Sequence, residues 1–128
     1  MKTYNFEKNS QVNKPLQEVF QFFSKAENLG RITPLNLKFE ILTPTPISMG
    51  VGTLIDYRIK IYNIPFYWRT EITLWDPPNR FVDVQLKGPY KSWIHEHRFE
   101  EKDGITFMTD TIKYQVPGGF LAPLLHQL

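Results

Sequence analysis

The chain has 128 residues, 41% of them hydrophobic and 22% charged, which suits a globular domain with its own core rather than a disordered chain. The net charge is +2 and the basic residues are scattered singly, so nothing points to nucleic acid. The absence of cysteine excludes a disulfide framework, a zinc ribbon and thiol catalysis. No run of about 18 apolar residues is present to span a membrane. Residues 1–7 lack the apolar core of a signal peptide, so the expected compartment is the cytoplasm.

Residues 3–12 alternate: Tyr4, Phe6 and Val12 fall on one side with Lys8 and Ser10, and Asn5, Glu7, Asn9 and Gln11 on the other, the period of a strand. Pro15 suits the first turn of a helix. Leu16, Val19, Phe20 and Phe23 follow with the spacing of one apolar helical stripe. Ser24-Lys25-Ala26-Glu27 has the form of a capping box, which predicts a second short helix to about Ile32. A short strand is expected over 39–42, followed by a turn-rich link. The Met49-Gly50-Val51-Gly52 stretch in that link has two glycines but no third and no following helix, so it reads as a turn rather than a nucleotide loop.

Further strands are predicted over 53–61, 66–75, 81–86, 90–100 and 105–116, with turns at Asn63-Ile64-Pro65, Asp76-Pro77-Pro78-Asn79, Lys87-Gly88-Pro89 and Lys102-Asp103-Gly104. Their alternation places Ile55, Tyr57, Ile59 and Ile61 on one face. It does the same for Trp68, Thr70, Ile72 and Leu74, and for Met108, Asp110, Ile112, Tyr114 and Val116. Short turns make neighbouring strands antiparallel. With helices at both ends, the expected class is α+β, a strongly curved antiparallel sheet of about seven strands. From residue 119 a C-terminal helix is expected over the sheet, with Phe120, Leu121, Leu124, Leu125 and Leu128 as its stripe. It is either short or truncated, and a short lid would leave apolar surface that favours a homodimer. The whole of 1–128 is expected to be a single domain.

Two short helices and a tail are little cover for such a sheet, so a cavity between sheet and helix is expected, a common form of ligand site. The aromatic content, 15%, supplies wall or core: Trp68, Trp93, Phe99 and Tyr114 suit either. His95 and His97, two apart on a strand, point the same way, and Trp93 and Phe99 put them on the apolar side. Asp110 is expected inward, paired with a histidine or with Tyr57 or Tyr114, because a buried charge needs a partner. Phe81, Asp83 and Gln85 share a face, but apolar residues on both sides of their strand leave its direction open.

With Asp83 or Asp110, the two histidines have the composition of a two-His-one-carboxylate metal site. The reading adopted is instead a hydrogen-bonded polar group in an apolar wall, with no metal and no cofactor. As a His–Asp pair they could serve as a general base; otherwise the network only satisfies buried polar groups.

The run Trp68-Arg69-Thr70, Trp75-Asp76-Pro77-Pro78, Arg80-Phe81-Val82-Asp83, Gly88-Pro89-Tyr90 and Trp93-Ile94-His95-Glu96-His97-Arg98-Phe99, with Asp110 and Tyr114 beyond it, resembles the SRPBCC, or START-like helix-grip, superfamily. That group includes polyketide cyclases, plant pollen-allergen-type carriers and coenzyme-Q-binding proteins, and the likeness spans essentially the whole chain. It implies binding of a lipid, isoprenoid, quinone or polyketide-like molecule by Tyr57, Trp68, Asp83, Gln85, Trp93, His95, His97, Phe99, Asp110 and Tyr114. The same cavity could instead house a cyclase or dehydratase using His95, His97 and Asp83, and a protein-interaction or regulatory module is a third reading of a fold that hosts many functions.

Overall fold

The computed structural model describes residues 2–33 and 35–118; the expected helix from 119 lies outside them. β1 (Tyr4–Val12) leads into α1 (Leu16–Phe23), a 3₁₀ turn (Ala26–Asn28), the single turn α2 (Leu29–Ile32) and a second 3₁₀ turn (Leu35–Leu37). Then come β2 (Glu40–Ile41), β3 (Leu54–Ile61), β4 (Ile64–Asp76), β5 (Arg80–Lys87), β6 (Ser92–Lys102) and β7 (Ile105–Gln115). They form one seven-stranded sheet in the order β1-β7-β6-β5-β4-β3-β2, antiparallel at every step. This is the α+β class expected.

The stripe of α1 packs as its spacing requires. Val19 and Phe20 are buried, and the Phe20 ring lies 5.1 Å from Phe99, 5.5 Å from Trp75 and 6.0 Å from Phe81, the edge-on and tilted geometry aromatic rings prefer. These residues, with Ile55, Ile72 and Met108, make one apolar cluster. A second gathers Ile59, Ile61, Trp68 and Tyr90, with Trp93 and Tyr114 against it.

The expected capping box does not form: no side-chain cap bond opens the turn that starts at Ala26. Glu27 instead accepts a hydrogen bond from the Ile47 N–H at 3.2 Å, tying down the link to β3. The Asn28 amide donates to the Phe22 carbonyl at 2.9 Å, satisfying an orphan acceptor at the end of α1.

Other differences come from turn chemistry. The β3–β4 turn is Tyr62-Asn63, both at positive φ, the two-residue hairpin geometry that matches strand twist; Ile64 and Pro65 already belong to β4. Pro65 is tolerated because β5 pairs with β4 only from Arg69 onward, leaving that end of β4 an edge on one side. Between Ile72 and Leu74 the β4–β5 register slips by one, so Thr73 is an extra residue. Such a bulge exchanges the faces beyond it: Trp75, not Leu74, joins the core.

Gln85 bridges the β5–β6 turn. Its amide donates to the Tyr90 carbonyl at 2.7 Å and accepts from the Tyr90 N–H at 3.1 Å. A Cβ on Gly88 would come within 2.5 Å of the Gln85 side-chain oxygen, Oε1, and 3.0 Å of its Cγ, so the clamp needs glycine there. Gln85→Ala and Gly88→Ala should each cost about 1–2 kcal/mol in urea unfolding. The double variant should cost little more than the worse single one; full additivity would show that the residues act separately.

Candidate functional site

Register brings the polar residues together. Across β5 and β6, Asp83 stands opposite His95 and Phe81 opposite His97. Across β6 and β7, His97 stands opposite Asp110 and Phe99 opposite Met108. Since all of these share one face, two imidazoles and two carboxylates meet.

His97 Nε2 donates to Asp83 Oδ2 at 2.6 Å, and His95 Nε2 lies at hydrogen-bond distance, 2.9 Å, from Asp110 Oδ1. His97 Nδ1 lies 3.2 Å from that same Asp110 oxygen, while His95 Nδ1 is 3.9 Å from Asp83 Oδ2, too far for a bond. The rings stack at 3.6 Å, and Phe81 covers the other face of His97 at 4.0 Å. Trp93 stands edge-on to His95. The polar quartet thus fills the seam between the two apolar clusters. Its side chains are only 16% to 27% exposed.

Burial works against a charged His97, but the hydrogen bonds and negative charge of Asp110 and Asp83 outweigh it and push the ring up to about 9 from its ordinary 6.5. Burial also opposes ionisation of Asp110, yet bonding from His95 and His97 and their charge hold its carboxyl well below the usual range. The Tyr57 hydroxyl is pushed up by burial, with Asp83 adding to the effect, so it stays neutral.

The quartet forms part of the wall of a cavity of about 450 Å³ beneath α1 and α2. Of the residues expected there, Tyr57, Trp68, Asp83, Trp93, His95, His97, Phe99 and Asp110 line it. Gln85 and Tyr114 do not. Gln85 is committed to its turn, and Tyr114 stacks on Tyr4 at 5.5 Å and meets Tyr90 edge-on. Asp110 finds its partners in both histidines rather than in a tyrosine.

Phe23, Phe39, Ile59, Ile72, Phe81 and Met108 also line the cavity. Phe81 and Met108 could have been found, since each lies two positions from a carboxylate already singled out. The indole N–H of Trp68 is buried with no partner among the described residues. No helix among these residues is long and apolar enough to cross a membrane.

A curved antiparallel sheet with short helices over its apolar face and a cavity between them is the helix-grip arrangement. Residues 12–126 match the family described as polyketide cyclase / dehydrase and lipid transport, and the chain belongs to it. No curated protein sequence matches the chain. Among solved structures, it is similar to the Zhui aromatase/cyclase from Streptomyces sp. R1128, with a TM-score of 0.77 and 17% identity over 98% of this chain and 84% of that one. A protein of Thermus thermophilus gives 0.72 and 17% over 97% and 82%. The major latex-like protein 151 of Panax ginseng gives 0.69 and 15% over 91% and 81%. At such identities the likeness is one of fold.

The pH dependence of stability follows from the two shifted groups. The His97 contribution is full below pH 6.5 and is lost as the pH rises toward about 9. The Asp110 contribution is present above its ordinary 3.8 and is lost as the pH falls below it. Thermal melts should therefore be highest near pH 4–6.5 and decline on both sides. His97→Gln should melt lower and lose most of the alkaline decline; an unchanged decline would mean that other groups cause it.

Proposed function

We propose that the protein binds a small hydrophobic molecule, of lipid, isoprenoid, quinone or polyketide-like type, in the cavity. The observation that carries this reading is one apolar chamber of about 450 Å³ with a single hydrogen-bonded His/Asp quartet in its wall. Apolar walls supply burial, while a few fixed polar groups orient the guest. The unpartnered Trp68 N–H offers a donor to a carbonyl or hydroxyl oxygen, and a guest there would relieve the cost of leaving it unmet.

The test is native mass spectrometry of the purified protein with organic extraction, followed by titration with the quinone menadione, read by quenching of tryptophan fluorescence. A bound apolar compound, or saturable one-to-one quenching, is expected. His95→Ala should weaken menadione binding about tenfold, the scale of one lost polar contact, with a smaller effect on melting. An empty protein that menadione does not quench, or an equal melting loss with unchanged affinity, would overturn the reading.

A second reading, a cofactor-independent cyclase or dehydratase, is favoured by one detail. His95 Nε2 is held by Asp110, while Nδ1 has no hydrogen-bond partner among the described residues. An imidazole whose tautomer is fixed by a carboxylate presents a lone pair suited to removing a proton beside a carbonyl. Turnover of a poly-β-ketone analogue with a bell-shaped pH profile, abolished in His95→Ala, is the expected result for an enzyme.

A further inference from the structure

The two imidazoles are oriented as a pair. Asp110 Oδ1 meets the far nitrogen of each ring, Nε2 of His95 at 2.9 Å and Nδ1 of His97 at 3.2 Å. The opposite nitrogens, Nδ1 of His95 and Nε2 of His97, both look toward Asp83 Oδ2, at 3.9 and 2.6 Å. One donor atom from each of Asp83, His95 and His97 lies within 4.8 Å of the others. We propose that these three residues form a binding site for a divalent first-row transition metal, with Asp110 as the positioning residue behind both histidines.

A metal-bound histidine commonly gives its other N–H to a carboxylate, which fixes the tautomer and aims the lone pair. Here one carboxylate does this for two rings. Donors bonded to zinc at about 2.0–2.1 Å in a tetrahedron stand roughly 3.4 Å apart. The His95–Asp83 gap is wider than that and the His97–Asp83 contact narrower, so the cation enters by opening the second while the stacked rings splay. Two nitrogens and one carboxylate, with no thiolate, suit zinc, cobalt, nickel or iron(II) rather than calcium, magnesium or copper(I). A dication bound there takes the place of the imidazole proton that faces Asp83 and offsets the charge of two half-buried carboxylates. All four side chains line the cavity, so a remaining coordination position would open onto it.

The inference does not depend on what else occupies the chamber. It does exclude the enzymatic use of His95 as a base, since the cation would take the same lone pair.

The test is titration of the metal-stripped protein with Co²⁺ and Zn²⁺ alone, by calorimetry and visible absorption. One ion per chain is expected, with cobalt bands more intense than those of the hydrated ion. Asp110→Asn should weaken binding about 10- to 100-fold, and His95→Gln more than that, in variants whose circular dichroism remains native. Binding equally strong in His95→Gln is adventitious and would overturn the proposal, as would the absence of stoichiometric binding. Should His95→Gln not fold, X-ray absorption of the zinc-loaded wild-type protein decides: scattering from two imidazoles supports the site, and from fewer than two refutes it.

Discussion

The pairing of two carboxylates with two stacked imidazoles is the interaction on which the concave face depends. Its members come from three adjacent strands, so the bonds that satisfy them also hold β5, β6 and β7 in one register. A slip of β6 by one residue would send both histidines to the other face and leave Asp83 and Asp110 without partners. The quartet also stands where the two apolar clusters meet, with Phe81 on one side and Trp93 on the other. Removing one member therefore exposes its partner to the full cost of burial, a larger penalty than the pair's net worth.

Much of this face was legible from alternation. Trp93 and Phe99 share parity with His95 and His97, and Met108 and Ile112 with Asp110, so a single strand's sequence shows which side those residues occupy. Asp83 was ambiguous because Val82 and Val84 give its strand a second apolar side, and only pairing with His95 settles the direction. Which carboxylate meets which imidazole depends on register, and register depends on turns. Asp103-Gly104 was readable as a tight hairpin, and both residues adopt positive φ. Tyr62-Asn63 was not, because neither residue is glycine and the proline beside them drew the turn forward.

The remaining misreadings have local causes. Parity reports a side of the sheet but not a place along it, so Tyr114 faces inward yet lies past the end of the cavity, against Tyr4. A bulge is invisible to alternation, and Thr73 moved Trp75 into the core. Short polar side chains near helix ends have several backbone groups in reach; Glu27 found the Ile47 N–H rather than the start of its own turn. Family membership and shared folds at 15% and 17% identity show how loosely this architecture constrains its residues. The particular quartet is what distinguishes a site on a widely used frame.

The sheet order places the first strand beside the last. Tyr4 pairs with Tyr114 and Val12 with Thr106, the Thr106 hydroxyl donates to the Lys14 carbonyl, and the Leu16 N–H donates to Glu101. The strands from β3 to β7 can zip together through short turns, each new strand finding its partner just behind it. Among the described residues β1 pairs with β7 alone, so it has no strand partner until residues 105–115 are made. On the ribosome, the N-terminal strand must therefore wait unpaired while about a hundred residues are added, roughly 5–20 seconds at ordinary rates of synthesis. Closing so long a loop is the slow kind of contact, and through that wait the edge of the nascent sheet stays open to the wrong partner.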